Sequence, residues 1–579
     1  MTVGEKGGVR PAGTSNADAL PSDAPRTAAR GAPRGDVALL DALRGDLTDA
    51  GYTVPAVEEL LGPLASAALH RGEPLPALRA TARRLDAAPT NAAPTNAAPT
   101  NAAPTNAAPT NAAPGSDARV AALVRLFVLG ADVPRRAVDA AFARLGVDGA
   151  VRLGLLEAAG SGPDDGVRAV VDLRPYEAAD AAGTVDWWLA SDLGEIATGA
   201  ALRADHVLGV GGASTTLAQI TVRDPRERVL DLGTGCGIQA LHASRHAGTV
   251  VGTDISARAL AFARFNAGLA GLGPDRLALR AGSMLKPVAG DRFDLVVSNP
   301  PFVITPRAPG IPAYEYRDGG RTGDAIVREL VTGVGSVLAP GGVAQLLGNW
   351  EVRGGEAWHE RVGSWLDDAG LDGWVIQREL QDPAEYAETW IRDGGETPDR
   401  DRAAWDTQYG AWLDDFDTRD VAAIGFGIIT LRRPADGPPT LRRLEAQTGT
   451  VHQPLGAHLA ASLVAHDWLQ GTDEDALTAA HLAVAADVTE ERYLTPGSPD
   501  PTVVLLRQGG GLGRAVRAGT ALAGFVGACD GELAVGQLIG AIAALLAVRA
   551  DDVAAEVLPA VRGLIRDGLL LTPRPAAAT

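Results

Sequence analysis

Cysteine is almost missing from this 579-residue chain, which has only Cys236 and Cys529. Two thiols so far apart in sequence exclude a disulfide framework and a cysteine-built zinc site, and they fit a reducing compartment. Lysine is equally scarce: Lys6 and Lys286 stand alone, and arginine supplies the remaining positive charge. The formal net charge of −19 argues against indiscriminate binding to a phosphate backbone, which needs basic surface. It leaves room for a local Arg-lined groove. The most apolar late run, Leu533 to Val548, is broken by Gly536, Gln537 and Gly540. It is short for a membrane span and reads as a buried helix. The N-terminal segment has no apolar h-region of the secretory kind. Rich in Ala, Gly and Pro, residues 1–35 read as a disordered tail. These absences lead to the expectation of a cytoplasmic protein with no membrane span and no metal site.

A chain of this length exceeds one hydrophobic core, so three or four domains are expected. The hydrophobic fraction of 46% suits a globular protein. Leucines at three- and four-residue spacing predict helices between Asp36 and Asp86. A pentapeptide repeat, AAPTN, then runs from Ala87 to Asn111. It is too short and proline-bearing for a solenoid, and it reads as an extended linker, 87–115, inside one domain. Helical pattern resumes in ARVAALVRLFVLG, with two further helices predicted over Pro134–Arg144 and Gly149–Ala159. The strand-like VRAVVDLRPY and VDWWLASDL follow. Residues 36–200 are therefore expected to be a helical, winged-helix-like domain. Residues 435–579, ending helix–helix–strand, are expected to hold a second winged-helix-like module.

From Arg226 strands and helices alternate. RVLDLG, TVVGTD, LALRAG, FDLVVSN and GVAQLLGN are apolar runs of the kind found in parallel sheets, with helical stretches between them. WVIQREL and AIGFGIITLRR look like two final strands. The expected fold of residues 201–433 is α/β, a Rossmann-like doubly wound sheet.

Three motifs carry chemistry. In VLDLGTGCGIQ a strand delivers Asp231, and Gly233, Gly235 and Gly237 line a tight turn into a helix. Glycines let a ligand approach the backbone, and a helix N-terminus favours a polar or anionic group. The spacing is G-x-G-x-G, not the G-x-G-x-x-G fingerprint expected of a nicotinamide-dependent oxidoreductase. The next strand ends GTDIS, placing Asp254 where a carboxylate can accept both hydroxyls of a ribose. An N-cap role for Asp254 or Ser256 is the alternative. The third motif is VVSNPPFVI. Its prolines cannot continue a strand ladder, and the first restricts Asn299 to extended backbone. In a doubly wound sheet this strand lies beside the first, at the switch point where ligands bind. The Asn299 side-chain oxygen and the Pro300 carbonyl can both accept hydrogen bonds from one planar NH₂ group, with Phe302 stacking on it. Such a nitrogen has a delocalised lone pair. Two acceptors favour its pyramidal form and stabilise the positive charge that arises as it attacks.

DLGTGCG, TDIS and SNPPF together resemble class I S-adenosylmethionine-dependent methyltransferases, more closely the amino-methylating branch with an [N/D]-P-P-[F/Y/W] motif. The segment is also similar to the small-domain methyltransferase family, over roughly Asp205 to Arg433. The branch includes adenine-N6, ribosomal RNA guanine-N2 and release-factor glutamine-N5 methylases. The resemblance implies S-adenosyl-L-methionine as cofactor, with Asp231, Gly233 and Gly235 around its methionine end. It puts Asp254 on the ribose, Ile255 against the adenine and Ser283 where relatives have an adenine-contacting Asp. DHVLGVGGAST resembles the segment that closes over the methionine carboxylate, with Thr215 as a contact. Asn299, Pro300 and Phe302 would be the catalytic set, needing neither metal nor covalent intermediate. His206 and His242 read as structural. The YRDGGRTGD loop, with Tyr316, Arg317 and Asp318, is a candidate substrate-facing element. The expected partner is a macromolecule, with an RNA base put ahead of a protein glutamine. A non-catalytic cofactor-binding protein is the remaining alternative.

Overall fold

The computed structural model describes residues 31–86, 116–180, 182–200, 202–309 and 311–573. The AAPTN repeat and residues 1–30 of the expected tail lie outside them. The centre is an eight-stranded sheet. Its strands are β1 (Arg226–Leu232), β2 (Ala247–Asp254), β3 (Leu277–Ala281), β4 (Phe293–Ser298), β5 (Leu338–Arg353), β6 (Asp372–Gln381), β7 (Val421–Arg432) and β8 (Arg442–Ala446). They lie in the order β8-β6-β7-β5-β4-β1-β2-β3. β1 to β5 run parallel, and β7 is antiparallel to both β5 and β6. The order reverses between β1 and β4, as the apolar strand pattern predicts for a doubly wound sheet.

The helices are α1 (Gly212–Ile220), α2 (Ile238–Ser244), α3 (Ala257–Leu269), α4 (Ala325–Gly333), α5 (Trp358–Ala369), α6 (Pro383–Asp393) and α7 (Arg402–Asp417). Strand alternation divides the burial between two faces. Val229, Leu295 and Val297 share a core with Leu217 of α1 and with Leu459 and Leu463 of the helix Gly456–Gln470. Leu230 and Val296 face the opposite way, onto Val327 and Leu330 of α4 and Trp365 of α5. Both faces are covered, so these strands read as unbroken apolar runs.

The N-terminal domain is built onto the outside of α2 and α3. Phe262 and Phe265 of α3 belong to the same core as Leu43, Phe127, Phe142 and Leu189. The fully buried Asn266 on α3 acts as a clasp. Its side-chain oxygen accepts from Ala190 N at 2.8 Å, and its amide donates to Ala190 O at 2.9 Å and Cys236 O at 2.8 Å. One side chain thus joins the N-terminal hairpin (Asp172–Asp180 with Gly183–Ser191) to the glycine turn after β1. Asn266→Ala strands these backbone groups at about 1–3 kcal/mol each. A loss of roughly 3 kcal/mol is expected in urea denaturation, provided the transition is two-state.

Some local expectations change. The helix predicted over Gly149–Ala159 ends early: the helix is Gly146–Arg152, and Leu156–Ala158 is a strand paired with Gly166–Ala169. Gly154 takes the left-handed φ of 76° that stops the helix. Likewise, VRAVVDLRPY is two strands, Gly166–Ala169 and Asp172–Asp180, in different sheets. The segment 133–169 has the strand–helix–helix–hairpin order of a winged helix. The C-terminal part ends helix–helix–strand (Val535–Leu546, Ala550–Arg566, Leu570–Leu571). It also carries an unforeseen antiparallel sheet of Val488–Leu494, Pro501–Gln508 and Ala515–Ala518. No helix among the described residues is long and apolar enough to cross a membrane.

Candidate active site

The register between β1 and β4 sets the site. Leu232 pairs with Ser298, and the Ser298 hydroxyl donates to the Leu232 carbonyl at 2.7 Å. The next residue on one strand is Gly233 and on the other Asn299. The glycine turn and the Asn-Pro-Pro-Phe turn therefore leave the sheet side by side.

The three glycines have left-handed φ values of 74°, 55° and 90°, for two different reasons. A Cβ on Gly237 would lie 3.1 Å from the Ala263 Cα, so this residue lets α2 pack on α3. A Cβ on Gly233 or Gly235 would meet nothing within 4 Å. Space is open beside both Cα atoms, while the Gly233 N–H donates to the Thr253 carbonyl at 2.9 Å. Asp231 lies beneath the turn, 1% exposed. Its Oδ2 accepts from the Thr234 hydroxyl at 2.6 Å and from Ala240 N at 2.9 Å, so this carboxylate clamps the turn to α2. Burial without a cationic partner pushes it up to about 7.

Asp254 ends β2 and reaches back to the same turn. Its Oδ2 accepts from Gly235 N at 2.9 Å and its Oδ1 from Ser256 N at 2.8 Å. Burial raises its pKa and the backbone donors oppose the rise. The N-cap of α3 is Ser256, whose hydroxyl accepts from Ala259 N. Asp254 itself is half-buried at the strand tip, beside Ile255, which is 52% exposed.

At the end of β4 the Asn299 side-chain oxygen is buried and has no hydrogen-bond partner. Pro300 is buried, and Phe302 sits half-buried where three apolar clusters meet. Phe302 also bridges to Asp318 across the following loop. An acceptor kept from water and left unpaired costs about 1–3 kcal/mol, a cost that a bound donor would remove.

The remaining predicted residues stand further off. Ser283 follows Gly282, whose N–H donates to the Asp254 carbonyl at 2.9 Å. Ser283 borders a cavity of about 270 Å³ shared with Met284, Lys286, Arg321 and Glu329, not with Asn299. The Thr215 hydroxyl is engaged with the Gly211 carbonyl of its own helix at 3.2 Å. His242 is buried, 2.9 Å from the Tyr176 hydroxyl of the N-terminal hairpin, and burial pushes it down to about 3. His206 is also buried, its ring edge against Tyr316. The loop with Tyr316, Arg317 and Asp318 does not turn its charges outward. Arg317 is buried, donating to Trp390 O and Asp393 at 2.7 Å each, and Asp318 pairs with Arg307. Among the described residues no group of three or more His, Cys, Asp or Glu is placed to hold a metal ion.

Sequence reasoning missed two residues beside the Asn-Pro-Pro-Phe turn, Asn349 on β5 and Tyr386 on α6. The Tyr386 hydroxyl accepts from Ile304 N at 3.0 Å and from the Asn349 amide at 2.6 Å. Nothing in the linear pattern signals a contact across 82 residues.

A sheet of this order, with an open glycine turn after β1, an acid at the tip of β2 and Asn-Pro-Pro-Phe after β4, has the Rossmann-like fold of class I methyltransferases. Residues 209–365 match the methyltransferase small domain family. Residues 49–170 and 460–572 each match a domain of unknown function. The chain is 34% identical over 167 residues to the ribosomal protein uL3 glutamine methyltransferase of Bradyrhizobium diazoefficiens, covering 27% of this chain and 52% of that protein. It is 39% identical over 133 residues to the release factor glutamine methyltransferase of Moorella thermoacetica, covering 21% of this chain and 47% of that one. The chain thus spans about half the length of the curated relatives it matches. Among solved structures, the ribosomal protein L11 methylase of Lactobacillus delbrueckii subsp. bulgaricus aligns at 26% identity with a TM-score of 0.20, over 28% of this chain and 67% of that one.

Proposed function

We propose that this chain is an S-adenosylmethionine-dependent N-methyltransferase acting on the side-chain amide of a glutamine in a protein. The observation that carries the reading is the register of Leu232 with Ser298, which sets the open glycine turn beside the unpaired Asn299 oxygen. Gly233 and Gly235 would offer backbone to the cofactor, Asp254 its carboxylate to the ribose, and Ile255 its side chain to the adenine. Asp231 would support the turn from below. Ser283 and Thr215 remain assignments by resemblance. S-adenosylmethionine supplies a methyl group already activated on a sulfonium, so the protein's task is mainly positioning. Asn299 and the Pro300 carbonyl would grip the two hydrogens of the substrate NH₂, and Phe302 would flank its plane.

The sequence alone put an RNA base ahead of a protein glutamine. The glutamine methyltransferases found among the relatives reverse that order, and the net charge of −19 agrees with a protein target. A cytoplasmic location belongs to the same proposal, since those relatives are named for components of translation. So does the division of the chain into an N-terminal domain (36–200), a methyltransferase domain (201–433) and a C-terminal domain (435–579). Matches to separate domains at 49–170 and 460–572 support it.

The test is incubation with tritiated S-adenosylmethionine and separated protein and RNA fractions from a strain lacking this chain. Label is expected in protein, and acid hydrolysis should release it as methylamine. Label confined to RNA would restore the nucleic-acid reading. Cofactor binding with no transfer to either fraction would favour a non-catalytic role.

A further inference from the structure

The turn that carries Asn299 and Phe302 has a supply problem. β4 stops pairing at Ser298, two prolines follow, and the backbone N–H groups of Val303 and Ile304 leave the sheet without ladder partners. Both are buried residues. The Val303 N–H is met by the Arg317 carbonyl at 2.9 Å. The Ile304 N–H is met by the Tyr386 hydroxyl at 3.0 Å.

Both ties lead to one helix. Arg317 is fixed by its guanidinium to the Trp390 carbonyl and the Asp393 carboxylate of α6, and it lies over the Tyr314 ring at 4.4 Å. Tyr386 is on α6 itself, fully buried among Trp390, Trp412, Phe416 and Phe426 with ring centroids 5.6–6.0 Å away. In such an apolar cage a phenylalanine would pack as well. The hydroxyl is therefore there for its bonds, since a buried unpaired hydroxyl is costly. It receives a second one from Asn349, fully buried on β5 just past Leu346, the residue paired with Ser298. The relay Asn349–Tyr386–Ile304 links β5, α6 and the end of the Asn-Pro-Pro-Phe turn.

We propose that Tyr386, with Asn349 behind it, is a positioning residue for methyl transfer. It acts through Ile304 N–H to hold Asn299 and Phe302 where the substrate amide is gripped, and it lies beyond the segment that matches the family. This rests on the function proposed above. The predicted signature is a fall in kcat with no change in cofactor binding, because Tyr386 is bonded to the turn after β4, whereas Asp231 and Asp254 hold the turn after β1.

The test uses the full chain with Tyr386→Phe. Hydrogen–deuterium exchange over residues 296–306 needs no methyl acceptor. It should show the Ile304 amide exchanging at least about tenfold faster, with the glycine-turn peptide unchanged. In transfer assays on whichever fraction the wild type labels, kcat should fall about tenfold, with the KM for S-adenosylmethionine within about twofold. Asn349→Leu, which leaves Tyr386 its bond to Ile304, should lower kcat by a smaller factor, about threefold. If Tyr386→Phe does not fold, Asn349→Leu decides: without the bond that fixes the Tyr386 hydroxyl, Ile304 exchange should quicken about threefold, in step with the fall in kcat. Unchanged exchange at Ile304 overturns the proposal, as does faster exchange with kcat intact. A wild type that labels no fraction would count against the methyltransferase reading, and the exchange result would still judge the relay.

Discussion

Asn299→Ala is expected to lower methyl transfer about 10²- to 10³-fold while leaving S-adenosylmethionine affinity within about twofold. The magnitude follows from what a single preorganised hydrogen-bonding group contributes in a site shielded from water, about 2.7–4 kcal/mol. An amide nitrogen is poorly nucleophilic until its lone pair is released from the carbonyl. An oxygen placed on its hydrogens strengthens its grip as positive charge builds, so the contribution falls on the transition state rather than on binding. The Asn299 oxygen is buried and unpaired, so it pays no penalty of leaving another partner when substrate arrives. Initial-rate kinetics on the labelled protein fraction and isothermal titration with the cofactor check the two halves separately. Loss of cofactor affinity in parallel with turnover would mean that Asn299 supports the crevice as a whole. Full turnover in the variant would remove it from the mechanism.

How far this site could be read in advance depended on the range of the interactions that build it. β1 to β5 were legible because burial on both faces demands unbroken runs such as FDLVVS, whose Phe293, Leu295, Val296 and Val297 are all in the core. Strand order then followed from alternation, and with it the neighbourhood of Gly233 and Asn299. β8, Arg442–Ala446, was not legible. It is an edge strand of sequence RRLEA, held by pairing to β6 and by ion pairs such as Arg443 with Asp567, so no apolar pattern marks it. The strand Val488–Leu494 was missed for the same reason, because most of its residues are exposed. Tyr386 stands between the last two strand-like runs, in a segment with Trp390, Trp405, Tyr409 and Trp412 and many acids. Its hydroxyl acquires meaning only from the three-dimensional meeting of α6 with Ile304. The YRDGGRTGD loop shows the converse difficulty. A run of charges looked available to a substrate, whereas the fold spends Arg317 and Asp318 on internal pairs.

Asp254→Ala is the second large effect, and it should fall on the other reactant. Loss of the carboxylate is expected to weaken S-adenosylmethionine binding roughly 100-fold, with kcat at saturating cofactor lowered far less. A hydrogen bond to a charged group contributes about 1.5–3 kcal/mol, and two ribose hydroxyls share this acceptor in the proposed pose. Part of the loss comes from the turn itself. Asp254 also accepts from Gly235 N at 2.9 Å, and without that bond the backbone of the glycine turn is no longer held toward the crevice. Asp254→Asn separates the two contributions. Its side-chain oxygen can keep the Gly235 N–H, but it offers one acceptor where the carboxylate offers two, so an intermediate loss of about tenfold is expected. Titration calorimetry with S-adenosylmethionine and with S-adenosylhomocysteine should show the same ratios, because the two share the ribose and differ only at sulfur. Equal affinity of wild type and Asp254→Ala for both ligands would show that β2 does not carry the ribose acceptor, and the crevice between β1 and β4 would have to bind its ligand by the glycine turn alone.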